Sequence, residues 1–149
     1  MVKKKSFWVG LFSLVLLFTF SQLFAQGDVI KTRRKLMKSN SKAYKAVKKA
    51  AKAKDFAAIE KNATILAANM EKIPNLFPKG STSEKSRAKA AIWKKWNSFT
   101  GKAKSIHEVA AMLAESAKAK DGAKVAVLAK GIRCKGCHKK FRKPKKKKK

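Results

Sequence analysis

The chain has 149 residues, of which 39 are Lys or Arg and 8 are Asp or Glu, giving a formal net charge of +31. That length suggests one domain with a core of its own, and no need for disulfide staples. Charge this one-sided makes sense only with anionic partners, as long-range steering, or for solubility, and no set of acid, base and nucleophile marks the chain as an enzyme.

The predicted elements begin with an export signal over residues 1–25. Lys3, Lys4 and Lys5 precede an uncharged apolar run from Phe7 to Phe20, and the small Ala25 offers a cleavage site. The alternative is an uncleaved anchor, but the run is short of the roughly 20 residues a bilayer span needs. Export places the mature chain in an oxidising compartment, a bacterial periplasm. Residues 26–142 then form the folded domain, and residues 143–149, ending in Lys145 to Lys149, form a basic disordered tail.

Within the domain the apolar spacing is helical throughout, Ala and Lys favour helix, and no internal repeat or second domain is apparent. The first predicted helix opens at Asp28 as N-cap and ends near Lys52, with Arg33, Met37, Tyr44, Val47 and Ala51 near one face. A second opens at Asp55 and carries Phe56, Ile59, Ala63, Leu66, Met70 and Ile73, until Pro74 and Pro78 end it. The longest loop runs from Pro74 to about Ser86. A third helix places Ile92, Trp96, Phe99, Ala103, Ile106, Ala110, Leu113 and Ala117 on one seam, with Trp93, Trp96 and Phe99 read as core. Asp121-Gly122 turns the chain into a last helix with Leu128, Gly131, Cys134, His138 and Phe141, which Pro144 stops. These elements predict an all-α fold, an antiparallel four-helix bundle with its chemistry near the C-terminal helix.

That chemistry lies in Cys134-Lys135-Gly136-Cys137-His138, the C-x-x-C-H signature of covalent haem attachment. Two thiols about one turn apart can add to two vinyl groups on one side of a porphyrin. The next residue then offers a neutral imidazole to the iron. Gly136 leaves room beside the macrocycle. A disulfide at this spacing closes too small a loop to stabilise much, and a thioredoxin-like pair lacks its βαβ context. A zinc site lacks a fourth ligand, because the other histidine, His107, falls off the seam and reads as a surface residue.

With its C-terminal C-K-G-C-H motif in a four-helix bundle behind an export signal, the chain resembles the class II cytochromes c, of which cytochrome c prime is the best-known member. The resemblance also rests on Ile30-Lys31-x-Arg33-x-x-x-Met37, Leu76-Phe77-Pro78-x-Gly80, Arg87-Ala88-Lys89-Ala90-Ala91-Ile92-Trp93 and Gly131-x-x-Cys134-Lys135-x-Cys137-His138-x-x-Phe141-Arg142. It implies one covalent haem c, with His138 as axial ligand, wedged between the attachment helix and the first helix. Met37 then lies over the opposite face of the iron, as sixth ligand or as apolar packing. Arg33, one turn earlier, is placed to reach a haem propionate, and Arg142 to lie near the proximal imidazole. Gly131 permits close approach of ring and backbone. The lysine content and penta-lysine tail depart from the family pattern.

The expected function is periplasmic electron transfer, with acidic redox proteins as partners and an anionic membrane surface or a homodimer as further contacts. One alternative is a five-coordinate cytochrome c prime that binds nitric oxide or carbon monoxide. Another is a polycationic module for anionic surfaces. Nucleic acid is not an expected partner, given the periplasmic address and the haem motif.

Overall fold

The protein is described by a computed structural model that covers residues 7–84 and 86–144, with side chains from residue 28 onward. Helix α1 spans Phe7–Ala53, α2 Phe56–Glu71, α3 Ala91–Lys94, α4 Trp96–Lys118, α5 Gly122–Gly131 and α6 Cys134–Phe141, and a 3-10 turn lies at Pro74–Leu76. Helix α2 packs between α1 and α4, α5 lies on α4 and α1, and α6 reaches α4 and α3. The result is a four-helix bundle in which the third and fourth rods are each broken once. The side chains of the expected export signal and the Lys145–Lys149 run lie outside the described residues.

The seams of α2 and α4 are those the spacing predicts. Ile59, Ala63, Leu66, Met70 and Ile73 are buried, as are Phe99, Ala103, Ile106, Ala110, Leu113 and Ala117. On α1 the buried positions are Ile30, Arg33, Asn40, Ala43, Val47 and Ala50, in steps of three, four and seven along one face. Asp28 does not cap α1. It sits exposed inside a helix that is already running, with no proline there to stop it.

Two breaks depart from expectation. Lys95, at φ −125° and ψ 49°, separates α3 from α4, and the change of register turns Trp96 outward to 37% exposure. Ile132, extended at ψ 92°, separates α5 from α6 and buries its own side chain at the bend. The attachment motif therefore occupies a separate short helix.

A short repeat also emerges. Ala-Lys-Ala-Lys-Asp occurs at 51–55 and again at 117–121, and both copies form the same connection. Lys54 and Lys120 each take φ 55°, Asp55 N–H donates to Ala50 O at 3.0 Å, and Asp121 N–H donates to Ser116 O at 2.9 Å. Each aspartate then caps the next helix, Asp55 accepting from Ala58 N–H and Asp121 from Lys124 N–H, both at 3.0 Å.

Candidate haem site

The site is assembled from α1, α6, the loop after α2 and the start of α4. Cys134 opens α6, Cys137 lies almost one turn on, and His138 follows; all three are half-buried, and the cysteines are not joined in a disulfide. Burial pushes both thiols above their ordinary pKa, so they are protonated at neutral pH. Burial, then the charges of Arg142 and Arg87, lowers the His138 pKa and keeps its imidazole neutral. A neutral imidazole is the form that ligates iron.

Two adjoining cavities, of about 330 and 280 Å³, open between α6 and α1, and Met37, Phe99, Cys137, His138 and Arg142 line both. Met37 lies on the α1 wall and His138 on the α6 wall. The first cavity adds Arg33, Arg34 and Arg87; the second adds Cys134, Asn40 and Met70. Met70 is thus a second methionine at the site, while Met112 is half exposed on the outer face of α4. Phe99 packs edge-on against Phe77 at 4.8 Å and against Phe141 at 5.3 Å, which fixes the floor of both cavities.

Arg33 is only 5% exposed, and its guanidinium is committed to the loop. Nε and Nη2 donate to Leu76 O at 2.9 and 2.7 Å, Nη1 and Nη2 to Ser81 O at 3.2 Å, and Nη2 to Ser81 Oγ at 2.7 Å. Its carbon lies 3.7 Å over the Phe77 ring. Burial pulls its pKa down to about 10, and it stays charged at neutral pH. Gly80, at φ 75°, makes the turn from Pro78 that delivers Ser81 to this cluster. Trp93 Nε1–H donates to Phe77 O at 3.1 Å and to Pro78 O at 2.9 Å, holding the same loop from the other side.

The end of α6 is clipped to the approach to α3. Ala88 and Arg142 form an antiparallel bridge, Lys89 N–H donates to Phe141 O at 3.0 Å, and Lys143 N–H donates to Arg87 O at 2.7 Å. The Arg87 side chain returns two bonds to Lys143 O, so Lys143, assigned to the tail by sequence, is tied to the bundle.

Other residues sit differently from expectation. His107 is half-buried, and its Nδ1–H donates to Ala67 O at 3.0 Å, pinning α4 to α2. A Cβ on Gly131 would meet Val109 Cγ1 at 3.3 Å, so this glycine serves the α5–α4 approach. Gly136 faces open space. Sequence reasoning missed Asn40, whose two amide atoms are buried without a partner. Its signal was a polar residue on the 33–37–40–44–47 seam.

Among the described residues, no three of His, Cys, Asp and Glu gather to hold a bare metal ion. An iron here needs a carrier that brings its own equatorial ligands. The free thiol pair, the neutral imidazole, the cavities and the unpaired Asn40 amide fit such a group.

A family described as Cytochrome C' matches residues 28–142. Cytochrome c' from Pararhodospirillum photometricum is 40% identical over 89 residues, covering 58% of this chain and 71% of that one. Cytochrome c prime from Shewanella frigidimarina superposes with a TM-score of 0.74 at 26% identity, over 80% of this chain and 97% of that chain. A nitric oxide complex of a variant cytochrome c prime from Alcaligenes xylosoxidans gives a TM-score of 0.72 at 23% identity, over 80% and 97%. With a match that spans the whole bundle and ends on the attachment helix, the chain belongs to the cytochrome c prime family, whose cofactor is covalent haem c.

Proposed function

We propose that the protein is exported to the periplasm, holds one haem c, and transfers electrons without catalytic turnover. The observation that carries this reading is the placement of Cys134, Cys137 and His138 on one short helix, facing Met37 across a cavity. Cys134 and Cys137 would hold the haem covalently, each thiol adding across a vinyl group with its sulfur on one carbon and its hydrogen on the other. His138 presents a neutral nitrogen, already deprotonated by burial and by its arginine neighbours. When bound, the haem supplies a one-electron couple at iron.

The chain's own residues orient the group. Cys134 lines only the second cavity, whereas Cys137 lines both. The first cavity would receive the carboxylates of the haem, because Arg34 and Arg87 there are exposed or half-buried and free of carboxylate partners among the described residues. Arg33 shapes that end by fixing the loop. Arg142 keeps positive charge beside His138.

A second reading, the binding of nitric oxide or carbon monoxide, is favoured by the space that continues past Met37 toward Asn40 and Met70. A variant of the Alcaligenes xylosoxidans cytochrome c prime has been observed with nitric oxide. The two readings differ in whether the Met37 sulfur ligates iron or packs. Ligation raises the reduction potential over a vacant site.

For partners we propose acidic redox proteins, steered by the excess of lysine, with the basic tail adding contact to anionic membrane. A homodimer is also proposed.

The test is an optical spectrum of protein matured in a strain that attaches c-type haem, oxidised and reduced, with and without carbon monoxide. A low-spin spectrum indifferent to carbon monoxide supports the carrier with Met37 as ligand. A high-spin spectrum that shifts with carbon monoxide supports gas binding. Wild-type protein without covalent haem overturns both.

A further inference from the structure

The repeated Ala-Lys-Ala-Lys-Asp segment brings both of its turns to one end of the molecule. A Cβ on Gly122, just after the second copy, would meet Phe56 Cζ, just after the first, at 3.8 Å, so the two turns stand side by side. Lys52, Lys54, Lys118 and Lys120 are all exposed there, and none has a carboxylate partner among the described residues. The aspartates of the repeat cap α2 and α5, and Asp121 also holds Lys124. Ala53 and Ala119, between the lysines, are exposed and short, so nothing bulky keeps the ammonium groups from a flat surface.

Two observations separate these lysines from the general excess of charge. Lys54 and Lys120, both at φ 55°, are the only non-glycine residues with positive φ among the described residues. Glycine is the ordinary occupant of that conformation, and a side chain there is strained. Twice the fold keeps a lysine where glycine would be more stable, and strain retained in duplicate argues for a use of the side chain. Lysine is also the only cation at this end. Arg33, Arg34, Arg87, Arg133 and Arg142, the arginines of the chain, belong to the segments that build the haem end. An arginine fork suits one fixed carboxylate or phosphate, whereas ammonium groups on flexible stems suit a diffuse sheet of charge. Along α4, Lys118 stands roughly 28 Å from Phe99 on the cavity floor, at 1.5 Å per residue. A partner at the turns therefore leaves the haem end uncovered, which favours a supporting surface over a redox protein.

We propose that the paired turns, through Lys52, Lys54, Lys118 and Lys120, dock the protein on an anionic phospholipid surface with the haem end directed away from it. The site lies at the other end of the bundle from Lys143, so it is separate from the membrane contact proposed for the basic tail.

The probe is co-sedimentation of the matured full-length protein with phosphatidylcholine vesicles, with and without phosphatidylglycerol. Wild type is compared with the pair Lys54→Gly and Lys120→Gly, and with a charge-matched control pair on the exposed middle of α1, Lys38→Gln and Lys42→Gln. Each ammonium near an anionic bilayer contributes about fivefold to binding, so the glycine pair should bind anionic vesicles about thirtyfold more weakly. The control lysines lie beyond a Debye length of about 8–10 Å from the turns and should matter far less. Because glycine relieves the backbone strain, the urea midpoint should rise as binding falls, which a folding defect would not produce. Replacing Lys145 to Lys149 by Gln reads the tail contact alone, and the glycine pair should lose the same factor in that background. Wild type that sediments equally with both kinds of vesicle, or with neither, overturns the proposal. An equal loss in the glycine and control pairs also overturns it and assigns the attraction to net charge. So does wild type that ignores the vesicles but binds polyglutamate through Lys54 and Lys120, which would assign this end to an acidic protein.

Discussion

Replacement of Arg33 by Leu isolates what a buried cation does in this bundle. The guanidinium meets three acceptors on one loop, Leu76 O, Ser81 O and Ser81 Oγ, and stacks on Phe77. A hydrogen bond from a charged donor contributes about 1.5–3 kcal/mol, and a desolvated cation–π contact about 2 kcal/mol. Against that sum stands the desolvation of the guanidinium, several kcal/mol for a buried ion. Truncation recovers the desolvation but strands two carbonyls, at about 1–3 kcal/mol each. With the lost contacts largely offset by the recovered desolvation, the stranded carbonyls set the expected net loss at about 3–4 kcal/mol. Arg33→Lys should lose about 2 kcal/mol, because an ammonium keeps the charge but can neither fork across two carbonyls nor lie flat on a ring. Urea unfolding of the haem-loaded protein, followed by helical circular dichroism, measures both. Limited proteolysis locates the damage, and new cleavage should fall between Leu76 and Ser86. If Arg33→Leu costs under about 1 kcal/mol and the loop stays protected, the clamp argument is wrong and the guanidinium serves the propionate alone.

Phe99→Ala should cost about 3–5 kcal/mol in urea unfolding, since Phe99 is 3% exposed and its ring separates two cavities from the core. Lys54→Gly should raise the unfolding midpoint, because a left-handed residue with a side chain at φ 55° costs about 1 kcal/mol over glycine; an unchanged midpoint would count against it. The Asp121 carboxylate is held below its ordinary pKa first by the Lys124 backbone N–H, so its cap is complete above the unfolded value near 3.8. The folded state binds fewer protons than the unfolded one, and the cap's contribution is lost as pH falls through the depressed folded value; Asp121→Asn should flatten that part of the acid-unfolding curve. Added salt should stabilise the protein between low and physiological ionic strength by screening its self-repulsion, and urea midpoints indifferent to salt would refute this.

The helical seams were legible because they are written in local spacing. Ile59 to Ile73 and Phe99 to Ala117 follow steps of three and four, and each is buried where that spacing puts it. The caps at Asp55 and Asp121 were legible for the same reason: residue type and position suffice. The breaks at Lys95 and Ile132 were not: neither Gly nor Pro marks the first, and Gly131, which adjoins the second, was read as lying inside the last helix. Each depends on what the chain packs against: the clip between residues 87–89 and 141–143 on one side, and the burial of Ile132 on the other. Arg33 was placed on the correct face, but its bonds to the loop were not legible. Spacing reports which side of a helix a residue occupies, and nothing in it reports that a loop from 43 to 48 residues away will arrive with two free carbonyls. His107 was misjudged similarly, since its partner is a backbone carbonyl on another helix.

Those misplacements share a cause in the charge. With 39 cationic residues and 8 acidic ones, carboxylates cannot partner the cations. Among the described residues only Lys104–Glu108 and Lys124–Asp121 pair, both local to one helix end or face. Backbone carbonyls take the role instead. Arg33 is held by Leu76 and Ser81, Arg87 by Lys143, and Lys89 by Lys139 O at 3.2 Å. A carbonyl dipole satisfies a guanidinium's hydrogen bonds without cancelling its charge, so positive potential persists inside these contacts. The first cavity, with Arg33, Arg34, Arg87 and Arg142 on its wall and no carboxylate among its lining residues, is where that potential concentrates. On the proposed haem reading, the two carboxylates of the cofactor would meet Arg34 and Arg87 there, and holding the cofactor and relieving the repulsion would be the same event.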